Sequence, residues 1–394
     1  MESNPNDPPE IPIGDVFRDV PLFREIQRVL LSSSGPINWE LARQVGIAAA
    51  AWTGDEPAPT SEDQRGLAET VRAAELAVAA FTGMPPPSDV TEVKAVGGGP
   101  WVEANIRGLQ ELLDPIGAKM ATALGEAGGE LPPASGLAGG DFMGLLMQRV
   151  VPLLLGVQVG AVLGYLAQRV LGQFDLAVPR SGGALYFVIP NIAQFEREWS
   201  LPSMDFRAWI GLHEVTHRFE FARPWVREHF ISLVRDLVEH AELDLSGLEQ
   251  RLEGLDLSNP EALSDAFDGV GNMFGQTTSA EQRLRINRVQ AFMAAAEGYG
   301  EHVTERVGKE MLSAYGLIDE ALRRHREGGA GDQALERLLG LEMKMEQYRL
   351  GREFCMRVSE QTDEGTLARM WESAESLPSM PELEEPTLWL SRIA

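Results

Sequence analysis

Residues 213–217 read His-Glu-Val-Thr-His, the only place in the chain where two histidines stand four apart with a glutamate directly after the first. On a helix, positions i and i+4 share a face, so His213 and His217 can turn two imidazole nitrogens toward one zinc ion. Glu214 falls beside them. In hydrolases of this design such a glutamate is not a ligand but the base that takes a proton from water acidified by the metal. With 6 His in 394 residues, the pattern arises by chance in about 0.01 of such chains.

A catalytic zinc keeps three protein ligands and one open position, so a third His, Asp or Glu must come from elsewhere. The segment Arg283 to Val307 has helical spacing, with Ile286, Val289, Met293, Gly300, Val303 and Val307 on one stripe and Glu297 among them. A carboxylate on an apolar face needs a counter-charge, which makes Glu297 the favoured ligand. Glu301, one turn on, could bind the metal or orient a ligand imidazole. His302 is the rival ligand, but it lies about 140° round the helix from Glu297, so the two would not hold one ion together. Gly298 and Gly300 each weaken a helix by about 1 kcal/mol relative to Ala, which suggests that another backbone or a substrate comes close here.

The motif needs a helix, and the flanking residues supply one. Leu201-Pro202-Ser203 offers a start with Ser203 as N-cap and Asp205 in the first turn, and Pro224 stops the helix after Phe221-Ala222-Arg223. Phe206, Ile210, His213 and His217 form one stripe, and Leu212, Val215 and Phe219 another. A helix apolar on more than one side belongs in the core.

At these residues the chain resembles the zincin-like, gluzincin-type metallohydrolases of actinobacteria and relatives, often labelled as associated with coenzyme F420 biosynthesis. The resemblance also rests on Ile37-Asn38-Trp39-Glu40-Leu41-Ala42, Gly156-Val157-Gln158-Val159-Gly160, Glu297-Gly298-Tyr299-Gly300-Glu301-His302-Val303, Lys344-Met345-Glu346-Gln347-Tyr348-Arg349-Leu350-Gly351 and Leu377-Pro378-Ser379-Met380-Pro381-Glu382-Leu383. Together these span nearly the whole chain. The resemblance implies a zincin-like fold with His213, His217 and Glu297 as zinc ligands and Glu214 as base. The position held here by Glu301 is commonly Asp in that family. The F420 label implies no substrate.

Punctuation sets the expected organisation. Helices are predicted near 15–32, 38–52, 61–83 and 99–124, then a Gly/Pro-rich linker at 125–140, giving an N-terminal helical region (1–124) and a metal-binding domain (141–394). Val150 to Ala167 is apolar but for Gln158, with Gly156, Gly160 and Gly164 on one face. At about eighteen residues it is marginal as a span, and the spacing of small residues suits close helix contact, so a buried helix rather than a membrane span is expected. Ala184 to Ile189 is the clearest strand, suited to run past the metal and accept an extended peptide by backbone pairing. Beyond the motif, helices are predicted at 225–242, 260–275, 279–308, 311–326, 332–358 and 363–375. The fold class is therefore α+β, mainly α, with a small β element. Lys344 and Tyr348, four apart on one predicted helix, could steady an oxyanion, although packing and surface roles are commoner for such side chains.

Composition narrows the partners. A formal net charge of -25, from 34 basic and 59 acidic residues, argues against nucleic acid, whose phosphates need concentrated Lys and Arg. The single Cys355 excludes an intramolecular disulfide, and Met1 to Pro12 lacks the basic-then-apolar pattern of a secretory signal, so a cytoplasmic location is expected. There is no Gly-x-Ser-x-Gly elbow, phosphate-binding loop or dinucleotide fingerprint. Glu214-Val215-Thr216-His217 is also a Glu-x-x-His, but a di-iron bundle needs a second such pair, and none is present. The expectation is a Zn2+-dependent hydrolase acting on a peptide or other small carbonyl substrate. The competing expectation is a non-catalytic zinc protein with a structural or partner-binding role.

Overall fold

The computed structural model describes residues 35–51, 58–129, 139–174, 183–241, 279–328 and 345–393. In chain order the elements are α1 (Trp39–Ala50), α2 (Ser61–Thr82), β1 (Val93–Val96), α3 (Gly98–Gly129), α4 (Gly139–Ala167), β2 (Leu185–Val188), α5 (Ile189–Glu198), α6 (Ser203–Phe221), α7 (Pro224–Glu239), α8 (Ala280–Met311), α9 (Tyr315–Gly328), α10 (Met345–Gln361), α11 (Glu364–Ala368), α12 (Met380–Glu384) and α13 (Pro386–Ile393). The fold is mainly helical, with one small parallel sheet in which Val93 pairs with Leu185 and Val96 with Val188.

The motif helix α6 runs over the expected residues, and every side chain from Ile210 to Phe221 is buried. It lies between α2 and α8. Gly211 lets α2 approach, since a Cβ there would stand 2.7 Å from Cγ2 of Thr70. The start of α6 is fixed by charge: Arg207 bridges Asp63 at 2.6 Å and Glu196 at 2.9 Å. Asp63 in turn closes a capping box with Thr60 at the head of α2.

One local expectation needs correction, and another gains a second role. The N-cap of α6 is Pro202, and Ser203 is already helical, its hydroxyl donating to Glu196 at 2.9 Å. Pro224 does more than end α6: it is the first residue of α7, where its missing N–H costs nothing.

Helices α1 and α4 form a backbone-close pair. A Cβ at Gly156 would stand 2.6 Å from the Asn38 carbonyl oxygen, one at Gly160 2.6 Å from that of Ala42, and one at Gly164 2.9 Å from that of Gly46. The glycine face therefore serves helix contact, and no helix among the described residues is long and apolar enough to cross a membrane. The stretch 125–140 is helical at both ends, since α3 continues to Gly129 and α4 begins at Gly139. One buried cluster draws on both sides of it, from Ile37 and Leu67 to Phe219 and Trp389.

Strand β1, not anticipated from sequence, has its outer edge closed by the Gln64 side chain, which donates to the Val93 carbonyl at 2.5 Å and accepts from Ala95 N–H at 2.9 Å. The helix expected over 363–375 breaks into α11 and two 3-10 turns, Arg369–Trp371 and Ala374–Ser376. The segments 15–32 and 260–275, and 332–344 of the helix expected at 332–358, lie outside the described residues.

Candidate metal centre

His213 and His217 sit one turn apart in the middle of α6, and Glu297 faces them from α8. A ligand atom from each of the three lies within 4.8 Å of the others. The two Nε2 atoms are 3.3 Å apart. Ligands at about 2.0–2.1 Å in a tetrahedron stand about 3.3–3.4 Å from one another, so the imidazole pair already has the edge length that zinc requires. Two imidazoles and one carboxylate are also the donor set of a catalytic zinc site. The residues fit the metal.

Each imidazole is held from behind. His217 is fully buried between Phe221, whose ring stacks on it at 5.5 Å between centroids, and α8. Gly300 makes the second contact possible: a Cβ there would stand 2.8 Å from Cε1 of His217. At its other nitrogen, Nδ1, His217 is 2.9 Å from Oε2 of Glu220, itself fully buried. Burial pushes the Glu220 carboxyl well above the usual carboxylate range. His213 is stacked on Trp209 at 5.4 Å and 8° between planes.

Glu214 is fully buried, and its Oε2 accepts the backbone N–H groups of Gln173 and Phe174, both at 2.8 Å. The loop that donates them is fixed in turn. Trp101 Nε1 donates to the Gly172 carbonyl at 3.2 Å, Gln173 Nε2 donates to Asn105 at 3.0 Å, and Val188 N–H donates to the Leu171 carbonyl at 2.9 Å. Gly172 lies against the Glu214 carboxylate so closely that a Cβ would stand 2.8 Å from its Cγ and closer still to the carboxyl carbon.

The remaining sequence candidates separate. Glu301 lies one turn beyond Glu297 on α8 and is half-buried. His302 faces away from the cluster and is 3.0 Å from Glu364 of α11. Tyr348 lies on α10, with its side chain outside the described part, and Lys344 is outside the described residues. The glycine expectation resolves into two contacts. Gly300 admits an imidazole, and Gly298 admits the backbone of α10, since a Cβ there would stand 2.6 Å from the Arg352 nitrogen.

Sequence reasoning missed Glu220, Trp209 and the Gly172–Phe174 loop. Glu220 had a signal, being three residues beyond His217 on a helix with no polar face to spare. The loop had none, because its contact with Glu214 spans some forty positions of sequence.

In sequence, no curated protein matches the chain. A solved structure from Chloroflexus aurantiacus, described as a proposed hydrolase with a novel fold, is similar with TM-score 0.67 and 32% identity, over 91% of this chain and 98% of its own. A family model described as zincin-like metallopeptidase matches residues 37–390. The chain belongs to the zincin-like metallopeptidase family.

Proposed function

We propose that the protein is a zinc-dependent hydrolase that cleaves peptide or related carbonyl bonds, with His213, His217 and Glu297 holding the metal and Glu214 as the proton acceptor. The observation that carries this reading is the convergence of the three ligand atoms within 4.8 Å. Two imidazoles and a carboxylate make up the donor set of catalytic zinc sites, whereas structural sites are built mainly from thiolates, which favours catalysis over a structural role. Bound there, zinc would acidify a water and polarise the substrate carbonyl.

The chain's own residues would do the rest. Glu214, oriented by two backbone N–H groups, would take the proton and pass it to the leaving group. Glu220 would fix the His217 tautomer through Nδ1. Phe221 and Trp209, stacked on the imidazoles, would keep bulk water from them. Glu301, one turn beyond Glu297 on α8, would orient a ligand imidazole rather than bind the metal.

The test is elemental mass spectrometry of tag-free protein beside Glu297→Ala, with peptide-library hydrolysis by wild type and Glu214→Gln. About one zinc per wild-type chain, lost in Glu297→Ala, and hydrolysis lost in Glu214→Gln with zinc retained, is the expected result. Zinc held equally by Glu297→Ala, or turnover unchanged in Glu214→Gln, would overturn it.

A further inference from the structure

A cavity of about 560 Å³ opens at the C-terminal end of α6, lined among others by Phe174, Leu185, Arg218, Phe221, Arg223 and Arg227. None of the three metal-cluster residues lines it. It shares an aromatic wall with one of them, because Phe174 and Phe221 also pack on His217, with ring centroids 6.1 and 5.5 Å away. Phe174 and Phe221 are thus neighbours of both the cavity and the His217 imidazole.

Three arginines and one carboxylate, that of Asp89, line the cavity. Of its three arginines, Arg218 is satisfied by Thr91 at 2.7 Å and Asp89 at 3.1 Å, and Arg227 is paired with Glu111. Arg223 differs. Its Nε is buried with no hydrogen-bond partner, and among the described residues no carboxylate pairs with its guanidinium. A guanidinium partly withdrawn from water without a counter-charge is costly, and a carboxylate offers the planar, two-oxygen partner that suits it. The first turn of α7 begins at the next residue, Pro224, and its dipole adds positive potential at the same place. The aromatic wall beside this charge suits an apolar side chain on the same ligand.

We infer that this cavity is a carboxylate-recognising subsite, which takes the C-terminal residue of a peptide with its α-carboxylate on Arg223 and an apolar side chain against Phe174 and Phe221. The inference rests on the hydrolase reading for its role in cleavage, but its binding chemistry stands apart from the metal. It makes the protein one that removes or trims residues from the C-terminal end of its substrates.

The test is ligand-observed NMR titration of the chelator-treated full chain, so that no acid binds through a metal. The probes are N-acetyl-phenylalanine, its α-amide, and N-acetyl-glutamic acid α-amide, whose carboxylate is on the side chain. The expected result is that the free phenylalanine acid binds at least about tenfold tighter than its amide and tighter than the glutamate probe, and that Arg223→Gln removes the preference. Equal binding of acid and amide by wild type overturns the subsite, whether or not Arg223→Gln folds. Tighter binding of the glutamate probe overturns the C-terminal assignment. A preference retained by wild type beside a zinc-loaded protein that hydrolyses nothing would sink the catalytic reading and leave the subsite standing.

Discussion

Gly300 and His217 meet across the interface of α8 and α6, and the contact has room for hydrogen only: a Cβ at Gly300 would stand 2.8 Å from Cε1 and 3.1 Å from Nε2 of the imidazole. The cluster therefore depends on a residue that binds nothing. Gly300→Ala should strengthen the helix by about 1 kcal/mol in isolation, yet push the His217 ring away from Glu297. The expected outcome is a folded protein, by circular dichroism, whose zinc affinity falls about tenfold or more. Competition with a chromophoric chelator would measure it, and wild-type affinity would show that the ring has room to shift.

Glu220 should matter to metal binding although it is not a ligand. Glu220→Leu removes the acceptor 2.9 Å from His217 Nδ1, and loss of such a partner costs about 10–100-fold in metal affinity. Glu220→Gln keeps an oxygen that accepts from Nδ1–H and should lose less. Equal zinc binding by wild type and both variants would refute the role.

Gly172→Ala places a methyl group against the Glu214 carboxylate. Misplacing a catalytic group by about 1 Å costs on the order of 10²-fold in rate. The expected signature is a fall in kcat of that order with zinc content unchanged, which separates Gly172 from Gly300. If kcat and zinc are both unaltered, Glu214 is not held by this loop during turnover.

Gly351→Ala should destabilise the protein by overpacking α8 against α10. A Cβ there would stand 2.7 Å from the carbonyl carbon of Ala294, so α8 and α10 would have to separate. Overpacking of this kind costs about 1–3 kcal/mol. Denaturant unfolding should show it, and an unchanged midpoint would mean the helices move apart freely.

Glu364 predicts a pH dependence of stability. Burial raises the pKa of its carboxyl, but hydrogen bonds from His302 and Ser359 outweigh it and hold the group below its ordinary value of 4.5. A depressed carboxylate contributes stability that is complete above the unfolded-state pKa and is lost as pH falls through the folded one. The thermal-stability advantage of wild type over Glu364→Gln should thus shrink as pH falls below 4.5. An advantage that grows as pH falls below 4.5 would reverse the sign and exclude this cause.

What is legible in the sequence alone follows from the range of each interaction. His213, Glu214 and His217 were readable because their geometry is set within one helical turn, and α6 itself because Pro202 and Pro224 bound it and two apolar stripes bury it. The glycines of α4 and α8 announced close contact, because a helix tolerates Gly at such spacing only where something packs against it. Sequence could also propose Glu297, a carboxylate on an apolar stripe, though not bring it to the histidines. That pairing, the clamp of Gln173 and Phe174 on Glu214, the fit of Gly300 to His217 and the cavity around Arg223 all join segments far apart in the chain. Such contacts follow from how helices pack, and periodicity along one helix names the face that is buried but not the residue that covers it.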